Sequence, residues 1–128
     1  MKIIYNLLVA AVLLATGLAA GCSGEPPVYR DPAQTINVKA NREFVIATLS
    51  NPPTGYQWRE TYDKEMLKLL ASTFETARVG EEGQERAVLE QHFRFQALKT
   101  GETTVQLDLM GPDMSYSWQN KTFIVAVR

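Results

Sequence analysis

Beyond residue 35 the chain alternates apolar and polar residues with period two, and no long helical period interrupts it. "TINVKA" sets Ile36 and Val38 among polar neighbours. "EFVIATL", residues 43–49, is apolar at nearly every position, which predicts a strand covered on both faces. "YQWRETY" places Tyr56, Trp58 and Glu60 on one face, with Gln57 and Arg59 on the other. "RAVLEQHFRFQAL" alternates Phe93, Phe95 and Ala97 with His92, Arg94 and Gln96. "ETTVQLDL" repeats the pattern through Val105, Leu107 and Leu109. "KTFIVAVR" closes with Phe123, Val125 and Val127, with Ile124 and Ala126 partly covered. Only "DKEMLKLLAS" is mixed: its first half predicts one helical turn after Asp63, its second a strand through Leu67 and Leu69.

About seven strands therefore fit into roughly 95 residues. Turn residues fall between them at Asn41-Arg42, Asn51 to Gly55, Gly80 to Gly83, Thr100-Gly101 and Gly111-Pro112. The pattern predicts an all-β, immunoglobulin-like β-sandwich. Cys22 is the single cysteine, so packing rather than a disulfide must hold the two sheets together.

The first residues follow a different logic. Lys2 supplies a positive charge, and Ile3 to Ala20 is almost wholly apolar. The run ends on small residues, Ala19, Ala20 and then Gly21. This describes a secretory signal peptide over residues 1–21; the run is also close to the roughly 20 residues that span a bilayer, so an uncleaved anchor is the competing reading. "LAAG" directly before Cys22 resembles a bacterial lipobox, with Ala19 where leucine is commoner. That resemblance implies acylation of Cys22, and several acyl chains hold a protein on a membrane far better than one. Ser23 follows where an aspartate would retain such a lipoprotein at the inner membrane, which implies the outer membrane. Residues 22–34 contain three prolines and little apolar surface, and predict a semi-extended tether. Residues 35–128 form the folded domain.

Cleavage after residue 21 removes one lysine and leaves 12 basic against 14 acidic residues, a net charge of about −2. With no basic stripe, a nucleic-acid partner is not expected. One histidine and one cysteine give no metal-ligand cluster, and no phosphate-binding loop or nucleophile–histidine pairing is visible. No cofactor and no enzymatic activity are expected.

With the strands lettered A to G in order, three irregular stretches remain. They are "NPPTG" between B and C, "RVGEEGQER" between D and E, and "MGPDMSYSWQN" between F and G. In such a sandwich the B–C and F–G loops emerge at one end, within reach of D–E, and binding commonly resides where loops gather on a rigid scaffold. "NPPTGYQW" resembles the Asn-Pro-Thr-Thr-Gly-Tyr-x-Trp motif of the chagasin family, inhibitors of papain-like cysteine peptidases. Asn51, Pro52, Thr54, Gly55, Tyr56 and Trp58 match; Pro53 stands where the family has Thr or Ser. "HFRFQALKTGETTVQLDL" resembles the family's Phe-x-Phe-x-Ala strand, glycine turn and next strand, and the likeness covers most of residues 35–128.

The resemblance implies that Asn51, Pro52, Pro53, Thr54, Gly55 and Tyr56 occupy a peptidase's catalytic centre. It places the D–E loop, Gly80, Glu81, Glu82, Gly83 and Gln84, along one side of the cleft. The F–G loop, Gly111, Pro112, Asp113, Met114, Tyr116 and Trp118, covers the other. Here Gly111-Pro112-Asp113 replaces the family's Arg-Pro-Trp, and Trp118, five residues further on, is either a substitute contact or packing near strand G. Met110 and Met114 are either adaptable contact surface or packing. Tyr56 and Trp58 are expected in the core, since strand C of such sandwiches carries a buried aromatic, and His92 on the polar face of its strand. The implied function is reversible, tight-binding inhibition by a monomer. The alternative is a non-inhibitory envelope lipoprotein whose loops bind another protein or a glycan.

Overall fold

A computed structural model describes residues 24–51, 55–113 and 117–128, with only the backbone of 117 and 118. Pro52, Pro53, Thr54, Met114, Tyr116, the side chain of Trp118, Cys22 and the apolar run thus lie outside the described residues.

Among the described residues eight strands follow one another: β1 (Val28–Tyr29), β2 (Ile36–Val38), β3 (Glu43–Leu49), β4 (Gln57–Tyr62), β5 (Leu67–Val79), β6 (Arg86–Ala97), β7 (Gly101–Met110) and β8 (Ser117–Val127). They form two four-stranded sheets, ordered β1-β3-β6-β5 and β2-β8-β7-β4. This is the expected all-β, immunoglobulin-like sandwich, with one strand more than the alternation announced. The extra strand, β1, comes from the expected tether: Val28 and Tyr29 pair in parallel with Val45 and Ile46. Two residues are too few for a period to register, so backbone pairing rather than patterning makes this strand.

The period-two faces meet as anticipated. Phe44, Ile46, Phe93, Phe95, Val105, Leu107, Phe123 and Val125 are all fully buried between the sheets, each worth about 1.5–3 kcal/mol against exposure. The Phe44 ring stacks on Phe95 at 5.5 Å, and Tyr62 meets Phe95 edge-on at 5.1 Å. β3 is covered on both faces, with Phe44 through Thr48 all buried.

The mixed segment resolves into both of its halves. Met66 and Leu67 donate backbone N–H groups to Asp63 O at 3.1 and 3.0 Å, closing a single turn, and Leu67 then opens a strand that continues to Val79. Its length is the surprise, since residues 71–77 carry little alternation. Pairing to β6 along nearly its whole length holds β5 in place, with a bulge between Leu69 and Ala71. Leu70 sits in that bulge, half out in solvent.

Candidate functional site: three loops at one end of the sandwich

Strand directions decide where the connections lie. Leu49, the last residue of β3, pairs with Glu90 of β6. β6 runs antiparallel to β3 and begins four residues earlier at Arg86, opposite Val79. The β5–β6 connection therefore emerges beyond the same end at which β3 stops, carried about 13 Å further by the paired ribbon. In the other sheet, β4 starts at Gln57 opposite Met110, the last residue of β7, and Met110 pairs with Ser117 at the start of β8. The β3–β4, β5–β6 and β7–β8 loops thus share one end, as the B–C, D–E and F–G labels required.

The foot of the β3–β4 loop is held from several sides. Trp58 is buried as expected, and its Nε1 donates to Leu49 O at 2.8 Å, tying the two strands that the loop joins. Ser50 N donates to Leu89 O at 2.9 Å, binding the loop's start to β6. The Lys121 ammonium lies 5.2 Å above the Trp58 ring and donates to Thr48 Oγ1 at 2.9 Å, crossing between the sheets. At the far foot, Gly55 has φ +80°, a left-handed value that favours glycine. It rests on the β7–β8 loop: a Cβ there would stand 3.2 Å from Pro112 Cγ. Two of the three loops therefore touch.

The expected site residues that the structure describes can now be placed. Asn51 is exposed at the mouth, and Tyr56 is half-buried. Tyr56 lines a shallow, mainly apolar pocket of about 350 Å³ with Leu49, Trp58, Leu109 and Lys121 instead of joining the core. Gly80, Glu81, Glu82, Gly83 and Gln84 are all exposed, and Gln84 N donates to Glu81 O at 2.9 Å to close the tip. Gly111 is buried, while Pro112 and Asp113 are exposed. Met110 is half-buried in β7.

The supporting residues were not anticipated. Gln91 is buried. Its Oε1 accepts from Trp58 N at 3.3 Å, and its Nε2 donates to Trp58 O and Ser72 Oγ, both at 3.3 Å. One amide thus joins the two sheets and satisfies both backbone groups of Trp58 in β4, an edge strand. The signal was present, because Gln91 shares the period-two face of Phe93 and Phe95. Glu90 gave no signal. It points outward from β6 yet is buried, because the N-terminal segment covers it. Arg30 Nε and Nη2 donate to its two oxygens at 2.8 and 2.9 Å. His92 Nε2 stands 3.2 Å away. The bidentate Arg30 guanidinium, reinforced by His92, holds the Glu90 carboxyl below its ordinary range against the opposing effect of burial. Among the described residues no group of three or more His, Cys, Asp or Glu is placed to hold a metal ion.

A sandwich that gathers three loops at one end, the first locked at both feet, defines a binding scaffold. The chain belongs to the chagasin family of peptidase inhibitors, whose family profile (chagasin family peptidase inhibitor I42) matches residues 37–127. Two solved structures share the fold. The cysteine protease inhibitor EhICP2 from Entamoeba histolytica superposes with a TM-score of 0.61 at 20% identity, over 83% of this chain and 100% of that one. Amebosin, described as a solution structure, gives a TM-score of 0.53 at 20% identity, over 82% of this chain and 100% of its own. No curated protein matches the sequence.

Proposed function

We propose that the chain is a reversible, tight-binding inhibitor of papain-like cysteine peptidases and blocks the active-site cleft with its three clustered loops. The observation that carries this reading is the shared end of the β3–β4, β5–β6 and β7–β8 loops, with Gly55 braced on Pro112. A papain-like cleft is narrow, with thiolate and imidazole at its base. A peptide laid through it in extended form is cut. A bent loop fills the same space while holding its carbonyls out of attack geometry. Pro52 and Pro53 each fix φ near −65°, so less conformational freedom is lost on binding. Thr54 offers its hydroxyl to the catalytic pair. Gly80 to Gln84 and Gly111 to Trp118 flank the cleft, and together the loops reach a standard interface of about 1,600 Å².

Alanine substitution tests the assignment. Thr54→Ala and Trp118→Ala should each raise the inhibition constant for papain at least tenfold while the melting temperature moves by no more than about 2 °C. Unchanged constants would hand the loops to another ligand.

The location is proposed on sequence grounds. Cys22 carries lipid after cleavage of residues 1–21, and the protein is held at the outer membrane. Cys22→Ser should move the protein from the membrane fraction to the soluble one; unchanged fractionation would indicate an uncleaved anchor.

A further inference from the structure

We infer that the end of the sandwich opposite the three loops is a lipid-facing surface, and that residues 24–34 are a strut that keeps the inhibitory end turned away from the bilayer. This rests on the proposed membrane attachment at the N-terminus, whether through lipid on Cys22 or through an uncleaved apolar run.

The argument begins with the direction of β1. Because Val28–Tyr29 run parallel to Val45–Ile46, the chain arrives from the end where β3 begins, and the loops lie at the end where β3 stops. Pro27 O accepts from Val45 N at 2.9 Å, so docking already holds at residue 27. Arg30 then clamps Glu90 with two hydrogen bonds, onto a carboxylate whose side chain is only 4% exposed. Asp31 closes a turn, its backbone O accepting from Gln34 N at 3.1 Å and its Oδ1 from Ala33 N at 2.9 Å. The chain next enters β2, paired in parallel with Val125–Val127 of the other sheet. The arm is thus fastened to both layers.

Chain length completes the case. Cys22 stands five positions before Pro27, a reach of at most about 18 Å. Gly24 to Pro27 line a groove of about 490 Å³ together with Lys39, Arg42 and the ion pair of Arg94 with Glu43. A membrane holding Cys22 therefore lies against this end, where Lys39 and Arg42 stand ready for headgroup phosphates. From Val45 to Leu49, and from Glu90 back to Arg86, the strands rise about 26 Å in the opposite direction. The three loops face the compartment, open to a soluble peptidase.

The test uses the full lipidated chain in vesicles of phosphatidylglycerol and phosphatidylethanolamine that carry a headgroup nitroxide quencher. With Cys22 occupied by lipid, Lys39→Cys and Glu82→Cys each offer one site for a fluorophore. The label at position 39 should be quenched at least threefold more than the label at 82. Ten Gly/Ser residues inserted between Ser23 and Gly24 should abolish that difference while leaving the melting temperature and papain inhibition unchanged. Equal quenching of the two labels on protein that floats with the vesicles would overturn the apposition while leaving the anchor intact. Persistence of the difference after insertion would overturn the strut. Protein that fails to float would overturn the anchor, and the apposition with it.

Discussion

Gly55 at the foot of the β3–β4 loop lies against Pro112 of the β7–β8 loop, so close that a Cβ on the glycine would stand 3.2 Å from Pro112 Cγ and 3.3 Å from its Cβ. With φ at +80°, the position carries two separate demands for glycine. A side chain there costs about 1–2 kcal/mol in backbone conformation and must also displace Pro112. Gly55→Val should therefore weaken papain inhibition at least tenfold, with a melting temperature several degrees lower. Wild-type potency would contradict the bracing of one loop by the other.

The packing part of that effect is separable. In a double-mutant cycle, Gly55→Ala and Pro112→Gly should couple by at least about 0.5 kcal/mol in stability, because the second change removes the ring that the new methyl meets. Strict additivity would show that the strained backbone alone sets the cost.

Gln91 joins the sheets through both backbone groups of Trp58. Gln91→Leu keeps the volume but strands a buried N–H and C=O, each worth about 1–3 kcal/mol when unsatisfied. The variant should be less stable by about 2 kcal/mol in urea titration. An unaltered midpoint would mean that water replaces the amide.

Much of this was legible in the sequence, for reasons that show where legibility stops. Phe93, Phe95, Val105 and Leu107 announced their strands because each alternates with polar neighbours over several residues, Phe44 and Phe123 because each opens a short apolar run. The loop end followed from Asn51 to Gly55, where two prolines and a glycine break the period. Tyr56, expected in the core with Trp58 on the same face, is half-buried beside the loop, where it lines the open pocket with Leu49 and Lys121. β1 could not be read, since Val28-Tyr29 offers no period, and neither could the Arg30–Glu90 clamp, whose partners lie 60 residues apart.

That clamp makes stability depend on pH in a defined direction. Glu90 titrates below its ordinary value near 4.5 when folded, so its contribution is complete above the unfolded value and is lost as pH falls through the folded one. Glu90→Gln should be less stable at pH 7 and should lose stability less steeply than wild type on acidification below about pH 4.5. Parallel acid unfolding curves would remove Glu90 from the account.

Arg30→Ala leaves the same buried carboxylate with His92 alone. Because the arginine side chain is itself 55% exposed, the loss should be about 1–2 kcal/mol rather than the larger figure for fully buried pairs. That corresponds to a fall of roughly 4–16 °C in melting temperature for a domain of this size. Papain inhibition should be unchanged when measured well below the transition, since the clamp sits on the outer face of β6 and the Leu49–Glu90 pairing at the foot of the β3–β4 loop stays in place without it. A loss of potency in the folded variant would couple the arm to the inhibitory end.

The central claim is that the segment from Asn51 to Gly55 fills a thiol peptidase's cleft without being cut. Titrating papain with protein lacking residues 1–22, while following intact mass, tests it most directly. The account predicts stoichiometric, competitive and reversible loss of activity, with the chain whole after prolonged incubation. Full activity at micromolar protein, or cleavage between Asn51 and Tyr56, would contradict it.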